Sequence, residues 1–263
     1  MDTTRADQKR SDQSGNPAVR LAAAGDIHVR EGMEEQTRES FHQLRGKADL
    51  VLLAGDLTTC GDPAEARVLA DACRDVDLPV IAVLGNHDWH LDRADEISAL
   101  LAEAGITVLD RASMIIETGG LRVGVVGAKG FVGGFPGSHL PDFGEPALRM
   151  VYAETTGEIK GIARGLHEVA TCDVRIVLLH YAPTEGTLVG EPKGIWAFLG
   201  TDRMAAPIRE HEPDLVLHGH AHAGSLEGSI GSVPVYNVSV PLMEKDFWIF
   251  ELTGVREAAP PVH

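Results

Sequence analysis

Short apolar runs that end in glycine and a polar residue recur along the first third of the chain. The three run ends are Gly25-Asp26, Gly55-Asp56 and Gly85-Asn86-His87-Asp88. Runs of this length, bounded by turn residues, are typical of strands that are buried on both faces. The pattern therefore predicts three strands, at residues 19–24, 50–54 and 79–84.

Helical patterns separate these predicted strands. Helices are predicted at residues 33–45, from about 62 to about 76, and at 94–104. In the second helix, Asp62 is expected to be the N-cap and Glu65 to complete a capping box with it. The alternation of strand and helix indicates βαβ units and a largely parallel sheet. Such sheets bind ligands beyond the carboxyl ends of their strands, where the polar run ends lie.

The rest of the chain contains further predicted strands, one long helix and two long irregular segments. The strands are predicted at residues 106–109, 113–117, 121–126, 175–179 and 214–217. A helix is predicted at 146–167, and residues 225–252 alternate like antiparallel strands that complete a second sheet. The irregular segments are 129–145, which is expected to overhang a site, and 182–200. Two packed sheets with helices outside them are the simplest arrangement.

The length of 263 residues suffices for one α/β domain with a sizeable core. Residues 1–17 are polar and are predicted to form a disordered tail, residues 18–255 a single domain, and residues 256–263 a C-terminal tail. No apolar run approaches the roughly 20 residues that span a bilayer. The three cysteines are scattered along the chain, which indicates reduced thiols. The N-terminal residues contain no apolar signal segment, and both observations predict a cytoplasmic location.

The net charge is −16, with 39 acidic and 23 basic residues. An acidic surface repels nucleic-acid backbones and anionic lipid headgroups, so a nucleic-acid duplex and a membrane are disfavoured as partners. A small anionic substrate is compatible with this charge, because bound metal ions reverse the local field.

Residues of the types that bind metals follow five predicted strands. They are Asp26, His28, Asp56, Asn86, His180, His220 and His222. Alone, each is more often an ordinary histidine or a turn residue, but five segments deliver them to what is expected to be the same edge of one sheet. Imidazole, carboxylate and amide ligands without thiolate suit Mn, Fe, Zn, Ni or Co. Seven ligands exceed the four of a tetrahedral ion and suit two ions that share a bridging carboxylate.

This arrangement of residues resembles the calcineurin-like metallophosphoesterase family. The matching blocks are Asp26-x-His28, Gly55-Asp56, Gly85-Asn86-His87-Asp88, His180 and Gly219-His220-x-His222, in that order. The resemblance extends from residue 20 to about residue 240. It implies an α/β fold that is a four-layer α/β/β/α sandwich of two mixed sheets, with a dimetal site among the loops of the sheets.

The resemblance also implies a role for each matching residue. Two divalent or trivalent transition-metal ions, Mn, Fe or Zn, are expected as cofactors. The first would be held by Asp26, His28 and His222, the second by Asn86, His180 and His220, and both by Asp56. His87 and Asp88 are expected to be the catalytic pair, with Asp88 orienting His87 beside the leaving group.

The function expected from this resemblance is hydrolysis of a phosphate ester in a small phosphorylated substrate. Two metal ions ~3.5–4 Å apart can activate a water, as a metal-bound hydroxide, and clamp the attacking and leaving oxygens. A phosphodiester is favoured by analogy with family members of this size, and a phosphomonoester is the alternative. A protein phosphatase is disfavoured because the second block continues as Leu57-Thr58-Thr59-Cys60-Gly61 and lacks the arginine of the Asp-Arg-Gly run that follows it in those enzymes. A catalytically silent scaffold typically replaces the residue at the His87 position, which is intact here.

Several residues outside these blocks have weaker expectations. Lys129 is a candidate for a phosphate contact, and Trp89 and His90 are expected to pack in a loop or to line the pocket. His218 is expected to be a buried histidine and not a ligand.

Overall fold

The computed structural model describes residues 16–74 and 76–254. Of the tail predicted at residues 1–17, only residues 16 and 17 are described, and the tail predicted at 256–263 lies outside the described residues. Apolar strands whose side chains are all buried, such as Leu50–Ala54, form the centre of the fold. They contribute apolar side chains to both faces of a sheet, so each sheet is covered on both faces.

The strands are β1 Ala18–Ala24, β2 Leu50–Ala54, β3 Val80–Val83, β4 Ile106–Val108, β5 Ala112–Thr118, β6 Leu121–Gly127, β7 Gly134–Phe135, β8 Ser138–His139, β9 Val174–Leu178, β10 Leu215–His218, β11 Glu227–Ile230, β12 Val233–Asn237 and β13 Trp248–Thr253. The helices are α1 Glu34–His42, α2 Pro63–Arg74, α3 Ala94–Glu103, α4 Pro146–Glu168, α5 Trp196–Leu199, α6 Ala205–His211 and α7 Val240–Met243. The strands and helices predicted up to residue 217 are present within a few residues, whereas helices α5, α6 and α7 and the short strands β7 and β8 were not predicted.

Two mixed sheets are formed by these strands. The first has the order β13-β1-β2-β3-β4, and the second has the order β11-β12-β10-β9-β6-β5. Neighbours from β1 to β4 are parallel, and so are neighbours among β6, β9, β10 and β12. The outer strands β13, β11 and β5 are antiparallel to their neighbours.

Alternate residues of one strand serve two different apolar cores, which produces four layers. In β2, Leu50 and Leu52 lie in the core between the sheets, together with Ile176 of the second sheet. Val51 and Leu53 face the opposite way, into the core under α1, α2 and α3. This follows from the two-residue period of a strand. A third core lies between the second sheet and helices α4 and α6. The predicted α/β/β/α sandwich is confirmed.

The prediction that residues 225–252 complete the second sheet is wrong for its last strand. Strand β13 pairs antiparallel with β1 in the first sheet, and β12 is parallel to its neighbour β10. Trp248 and Phe250 of β13 lie across from Tyr236 of β12, with ring centroids 5.2 and 4.9 Å from it. Alternation in a sequence indicates which face of a strand is buried but not which strand lies beside it.

The start of α2 differs from the predicted capping box. The Asp62 carboxylate accepts the Ala64 N–H at 2.9 Å, as expected of an N-cap. Glu65 does not complete the box with Asp62; its Oε2 accepts the N–H groups of Thr59 and Cys60, at 3.0 and 2.9 Å. The carboxylate thus ties the helix to the loop that precedes it.

Among the described helices, none has the length and apolar character needed to cross a bilayer.

We predict that Leu52→Ala lowers the free energy of unfolding by about 2–5 kcal/mol, because it leaves a cavity between the sheets. Leu52 is completely buried there. The matched control is Ile249→Ala on β13, where the side chain is 39% exposed and a change within about 0.5 kcal/mol is expected. Denaturant unfolding measures both, and an unchanged stability of Leu52→Ala would contradict a shared core.

Candidate metal centre

Each predicted ligand follows a strand at its carboxyl end. Strands β1, β2 and β3 of the first sheet and strands β9 and β10 of the second precede them in turn. The expectation that one sheet edge carries all of them is therefore wrong, because the ligands are divided between two sheets. The edges meet where Gly25 N–H donates to the Val238 carbonyl at 2.7 Å.

Three overlapping groups of side chains bring the predicted ligands together. The groups are Asp26 with His28 and His222, His28 with Asp56 and His87, and Asp56 with His180 and His220. Within each group the candidate ligand atoms lie within 4.8 Å of one another. Asn86 joins them through its Oδ1, which lies 2.9 Å from His180 Nε2. We call the seven predicted metal ligands the ligand cluster.

Asp56 lies at the centre of the ligand cluster. Its side chain is almost completely buried. Its Oδ1 lies 3.4 Å from His180 Nε2, and its Oδ2 lies 3.8 Å from His28 Nε2. The two oxygens of one carboxylate thus face histidines of two different groups, so Asp56 lies where those groups of candidate ligands meet.

Backbone carbonyls determine which nitrogen of two histidines carries hydrogen. His180 Nδ1 lies 2.9 Å from the Ala54 carbonyl, and His220 Nε2 lies 3.2 Å from the Phe198 carbonyl. A carbonyl oxygen only accepts, so these nitrogens are donors. In the neutral rings the other nitrogen carries a lone pair, and that of His180 faces Asn86 Oδ1. Imidazole nitrogens and an amide oxygen are ligand types that transition-metal ions accept, so the donor set fits metal ions.

Local charges favour the protonation states that metal binding requires. Burial by itself raises the pKa of Asp26. The hydrogen bond from His222 and the charges of nearby histidines together have a larger effect and lower the pKa to about 2. Burial lowers the pKa of His220 to about 3, which keeps this imidazole neutral. His222 is the exception, because its hydrogen bond to Asp26 raises its pKa and so favours the protonated ring, which would have to release a proton when it binds a metal ion. Ionised carboxylates and neutral imidazoles are the forms that bind metals.

Four residues of the ligand cluster have left-handed backbone conformations. The φ angles are 56° at Asp26, 42° at His28, 48° at Asp56 and 69° at His220. Such conformations cost on the order of 1–3 kcal/mol each in non-glycine residues and concentrate at functional sites. Their hydrogen bonds hold them in place: Asp26 N–H donates to the Gly55 carbonyl at 2.9 Å, and His28 N–H donates to the Asp56 carbonyl at 3.1 Å.

The glycines before Asp56 and Asn86 are required by close packing. A Cβ at Gly85 would lie 2.1 Å from Asp56 Oδ1, and a Cβ at Gly55 would lie 2.6 Å from His180 Nδ1. Gly55 also has a φ of 81°. The glycines that end the second and third apolar runs of the sequence therefore lie where two loops pack against the ligand cluster.

His87 presents one ring nitrogen to the ligand cluster. Its Nε2 lies 3.9 Å from Asp56 Oδ2, and its Nδ1 lies 2.7 Å from the Thr59 carbonyl. The carbonyl only accepts, so Nδ1 carries hydrogen and Nε2 is the nitrogen that can exchange a proton at the site. Sequence reasoning missed Thr59, because its contribution comes from a backbone atom that every residue has.

The predicted contact between Asp88 and the His87 ring is wrong. Asp88 is completely buried. Its carboxylate accepts the N–H groups of Leu57 at 3.2 Å, Thr58 at 2.8 Å and Gly85 at 2.8 Å, and the Thr58 hydroxyl at 2.7 Å. His87 and Asp88 are neighbours in a 3₁₀ turn, where successive side chains point about 120° apart. Asp88 therefore joins the loops after β2 and β3 instead.

His218 is completely buried, as expected. Its Nδ1 lies 2.8 Å from the Gly219 carbonyl and its Nε2 lies 2.8 Å from the Thr187 hydroxyl. Burial lowers its pKa to about 4, so it is a neutral ring whose two nitrogens are both hydrogen-bonded. The prediction that His218 is a buried histidine is confirmed.

Lys129 is held by its neighbours. Its ammonium donates to the Gly130 carbonyl at 3.2 Å and lies 4.2 Å from the ring centroid of Phe131. Burial lowers its pKa. Lys129 and Trp89 line one cavity of about 70 Å³. The His90 ring lies 4.3 Å from the His87 ring.

The two long irregular segments pack against each other beside His220. Gly133 N–H donates to the Ala197 carbonyl at 3.1 Å, and the rings of Phe135 and Trp196 lie 6.3 Å apart. Segment 182–200 borders the ligand cluster through the Phe198 carbonyl. Segment 129–145 also contains the short hairpin of β7 and β8.

Comparisons with other proteins identify the family and the fold. The sequence profile of a family described as calcineurin-like phosphoesterase matches residues 19–224. Among solved structures, phosphopantetheinyl hydrolase (PptH) from Mycobacterium tuberculosis has a TM-score of 0.62 and 15% sequence identity, and the match covers 94% of this chain and 100% of that chain. GAP50, the anchor in the inner membrane complex of Plasmodium, has a TM-score of 0.53 and 13% identity, with coverage of 85% and 72%. At these identities the likeness is one of fold. No curated protein sequence was matched.

We predict that metal-stripped protein binds two Mn²⁺ ions per chain and that Asp56→Ala weakens both sites. Mutation of a residue that only hydrogen-bonds to a metal ligand typically lowers metal affinity by about 10–100-fold. Loss of a ligand shared by both ions should therefore lower the affinity of each site by at least about 100-fold. Titration calorimetry measures the binding. His167→Ala, at an exposed position on α4, is the matched control. Two undisturbed sites in Asp56→Ala would contradict the shared role.

Proposed function

The chain belongs to the calcineurin-like phosphoesterase family, and we propose that it hydrolyses a small phosphodiester at the ligand cluster. The observation that carries this proposal is the position of Asp56. This buried carboxylate faces histidines of two adjacent groups of candidate ligands. One carboxylate between two groups of this kind supports a centre for two metal ions.

We propose that the metals are two transition-metal ions, with Mn, Fe or Zn matching the nitrogen and oxygen donors. Asp26, His28 and His222 would hold one ion and Asn86, His180 and His220 the other, with Asp56 shared. When bound, the two ions would supply Lewis-acid activation of water and of the phosphate.

His87 is the proposed proton donor. Its Nδ1–H is held by the Thr59 carbonyl, and its Nε2 faces Asp56 across 3.9 Å. As the bond between phosphorus and the leaving oxygen breaks, a proton from Nε2 would pass to that oxygen and produce an alcohol. The water that attacks phosphorus would supply the new oxygen of the phosphate product, and the proton it releases to solvent would balance the one that His87 takes up again.

Charge supports a diester over a monoester. A phosphodiester carries one negative charge, whereas a phosphomonoester carries about −1.5 to −2 at pH 7. While the substrate approaches from solvent, the net charge of −16 repels the more highly charged monoester more strongly. Lys129, the nearby lysine, already binds the Gly130 carbonyl and the Phe131 ring.

The acidic surface also supports a small substrate over a nucleic-acid duplex. We propose a cytoplasmic location as well. All three cysteines are free thiols, which is typical of a reducing compartment.

We predict that metal-stripped protein supplied with Mn²⁺ hydrolyses bis-p-nitrophenyl phosphate faster than p-nitrophenyl phosphate. The reason is that the acidic surface repels a singly charged substrate less strongly during its approach from solvent. Chelation should abolish both activities. A faster monoester reaction would favour a phosphomonoesterase, and no turnover with two metals bound would favour a catalytically silent scaffold.

We predict that His87→Ala lowers the turnover of diphenyl phosphate by about 10²–10⁴, because phenolate is a poor leaving group without a proton donor. Metal stoichiometry should stay at the wild-type value. His167→Ala is again the control and should have wild-type turnover. Unchanged turnover in His87→Ala would show that another group protonates the leaving oxygen.

A further inference from the structure

We propose that Glu65 is a positioning residue that aims His87 at the leaving group through the Thr59 carbonyl. This inference rests on the proposed function. Glu65 lies on α2, outside the ligand cluster, and its side chain is 8% exposed. It does not touch the reacting atoms, so its effect passes through the loop that follows β2.

One oxygen of Glu65 holds two successive peptide groups. Its Oε2 accepts Thr59 N–H at 3.0 Å and Cys60 N–H at 2.9 Å. Hydrogen bonds to an ionised carboxylate are stronger than those between neutral groups. The Thr59 N–H is shared with the Val29 carbonyl at 3.2 Å. The Thr59 hydroxyl donates to the His28 carbonyl at 2.8 Å, so the loop is anchored on two sides.

The Thr59 carbonyl belongs to the same peptide group as the Cys60 N–H. When Glu65 holds that N–H, the carbonyl points the opposite way, because the two bonds of a trans peptide are antiparallel. In that direction it meets His87 Nδ1 at 2.7 Å. Glu65 and His87 are thus bound to opposite ends of one peptide group.

This peptide group determines which nitrogen of His87 exchanges protons. The hydrogen on Nδ1 is retained in both the neutral and the protonated ring, because its partner only accepts. Proton transfer is therefore directed to Nε2. If the peptide group rotates, Nδ1 loses its partner, and both the ring orientation and the tautomer become variable.

The position of Glu65 in α2 explains how it reaches the loop. Asp62 caps the first turn of α2 through the Ala64 N–H. Glu65 is therefore free to reach back to residues five and six positions earlier in the chain. Asp88 holds the preceding residues Leu57 and Thr58 in the same loop. Two buried carboxylates from different elements thus fix successive parts of one loop.

The test compares two phosphodiesters that differ in their need for a proton. Diphenyl phosphate has the poorer leaving group, and bis-p-nitrophenyl phosphate has the better one. In Glu65→Ala we expect turnover of diphenyl phosphate to fall by about 10–100-fold. This is less than the loss of about 10²–10⁴-fold expected when the His87 side chain itself is removed. Turnover of bis-p-nitrophenyl phosphate should fall by less than about threefold. Metal stoichiometry should be that of the wild type.

Two matched variants complete the experiment. Glu65→Gln keeps an oxygen that accepts both N–H groups, so it should retain most of the wild-type turnover. Asp71→Ala removes an exposed carboxylate of the same helix and should leave both substrates unaffected. If Glu65→Ala does not fold, Glu65→Asp shortens the reach of the carboxylate while keeping its charge, and the same substrate dependence is expected.

A double variant separates positioning from general support of the site. Adding Glu65→Ala to His87→Ala should cause no further loss on diphenyl phosphate, because coupled residues are not additive. Equal losses on both substrates, or a further loss in the double variant, would overturn the role of Glu65. A wild-type protein that binds two metals and hydrolyses neither substrate would overturn the proposed function, which is a distinct result.

Discussion

The buried carboxylate of Asp56 is the constraint on which the rest of the structure depends. A buried charge is costly unless it is paired and hydrogen-bonded. Asp56 accepts the His87 N–H at 2.8 Å, and its oxygens face His28 and His180. These partners come from three strand ends in two sheets. The two sheets must therefore pack with their carboxyl edges together, and the apolar core between them maintains that arrangement.

The scaffold holds a site that is locally unfavourable. Four members of the ligand cluster have positive φ angles, and His180 Nε2 lies only 2.9 Å from Asn86 Oδ1. Strain of this kind persists only where the surroundings determine the conformation fully. Here the surroundings are buried parallel strands, such as β2, which end immediately before the strained residues. Stability in the cores thus compensates for a site that is ready to bind cations.

The environment of His87 shows how positioning can depend on backbone atoms. A carbonyl, and not the predicted Asp88 carboxylate, accepts from Nδ1. This partner orients the ring without adding a negative charge beside the substrate. The carboxylates of Asp88 and Glu65 are used one step further away, where they hold the loop that contains Thr59. These two carboxylates therefore influence the His87 ring only through the backbone of that loop.

The sequence by itself determined the buried strands, the polar residues at their ends and the family resemblance. Side-chain period and turn residues act over a few neighbouring residues, so strands such as 50–54 and the order of the ligands can be recognised locally. Only the tertiary structure decided that β13 joins the first sheet, that the predicted ligands come from two sheets, and that the Thr59 carbonyl, in the loop held by Glu65, meets His87. These features depend on contacts between distant segments, many through backbone atoms. Because backbone groups are the same at every residue, no side-chain pattern can encode which of them will meet.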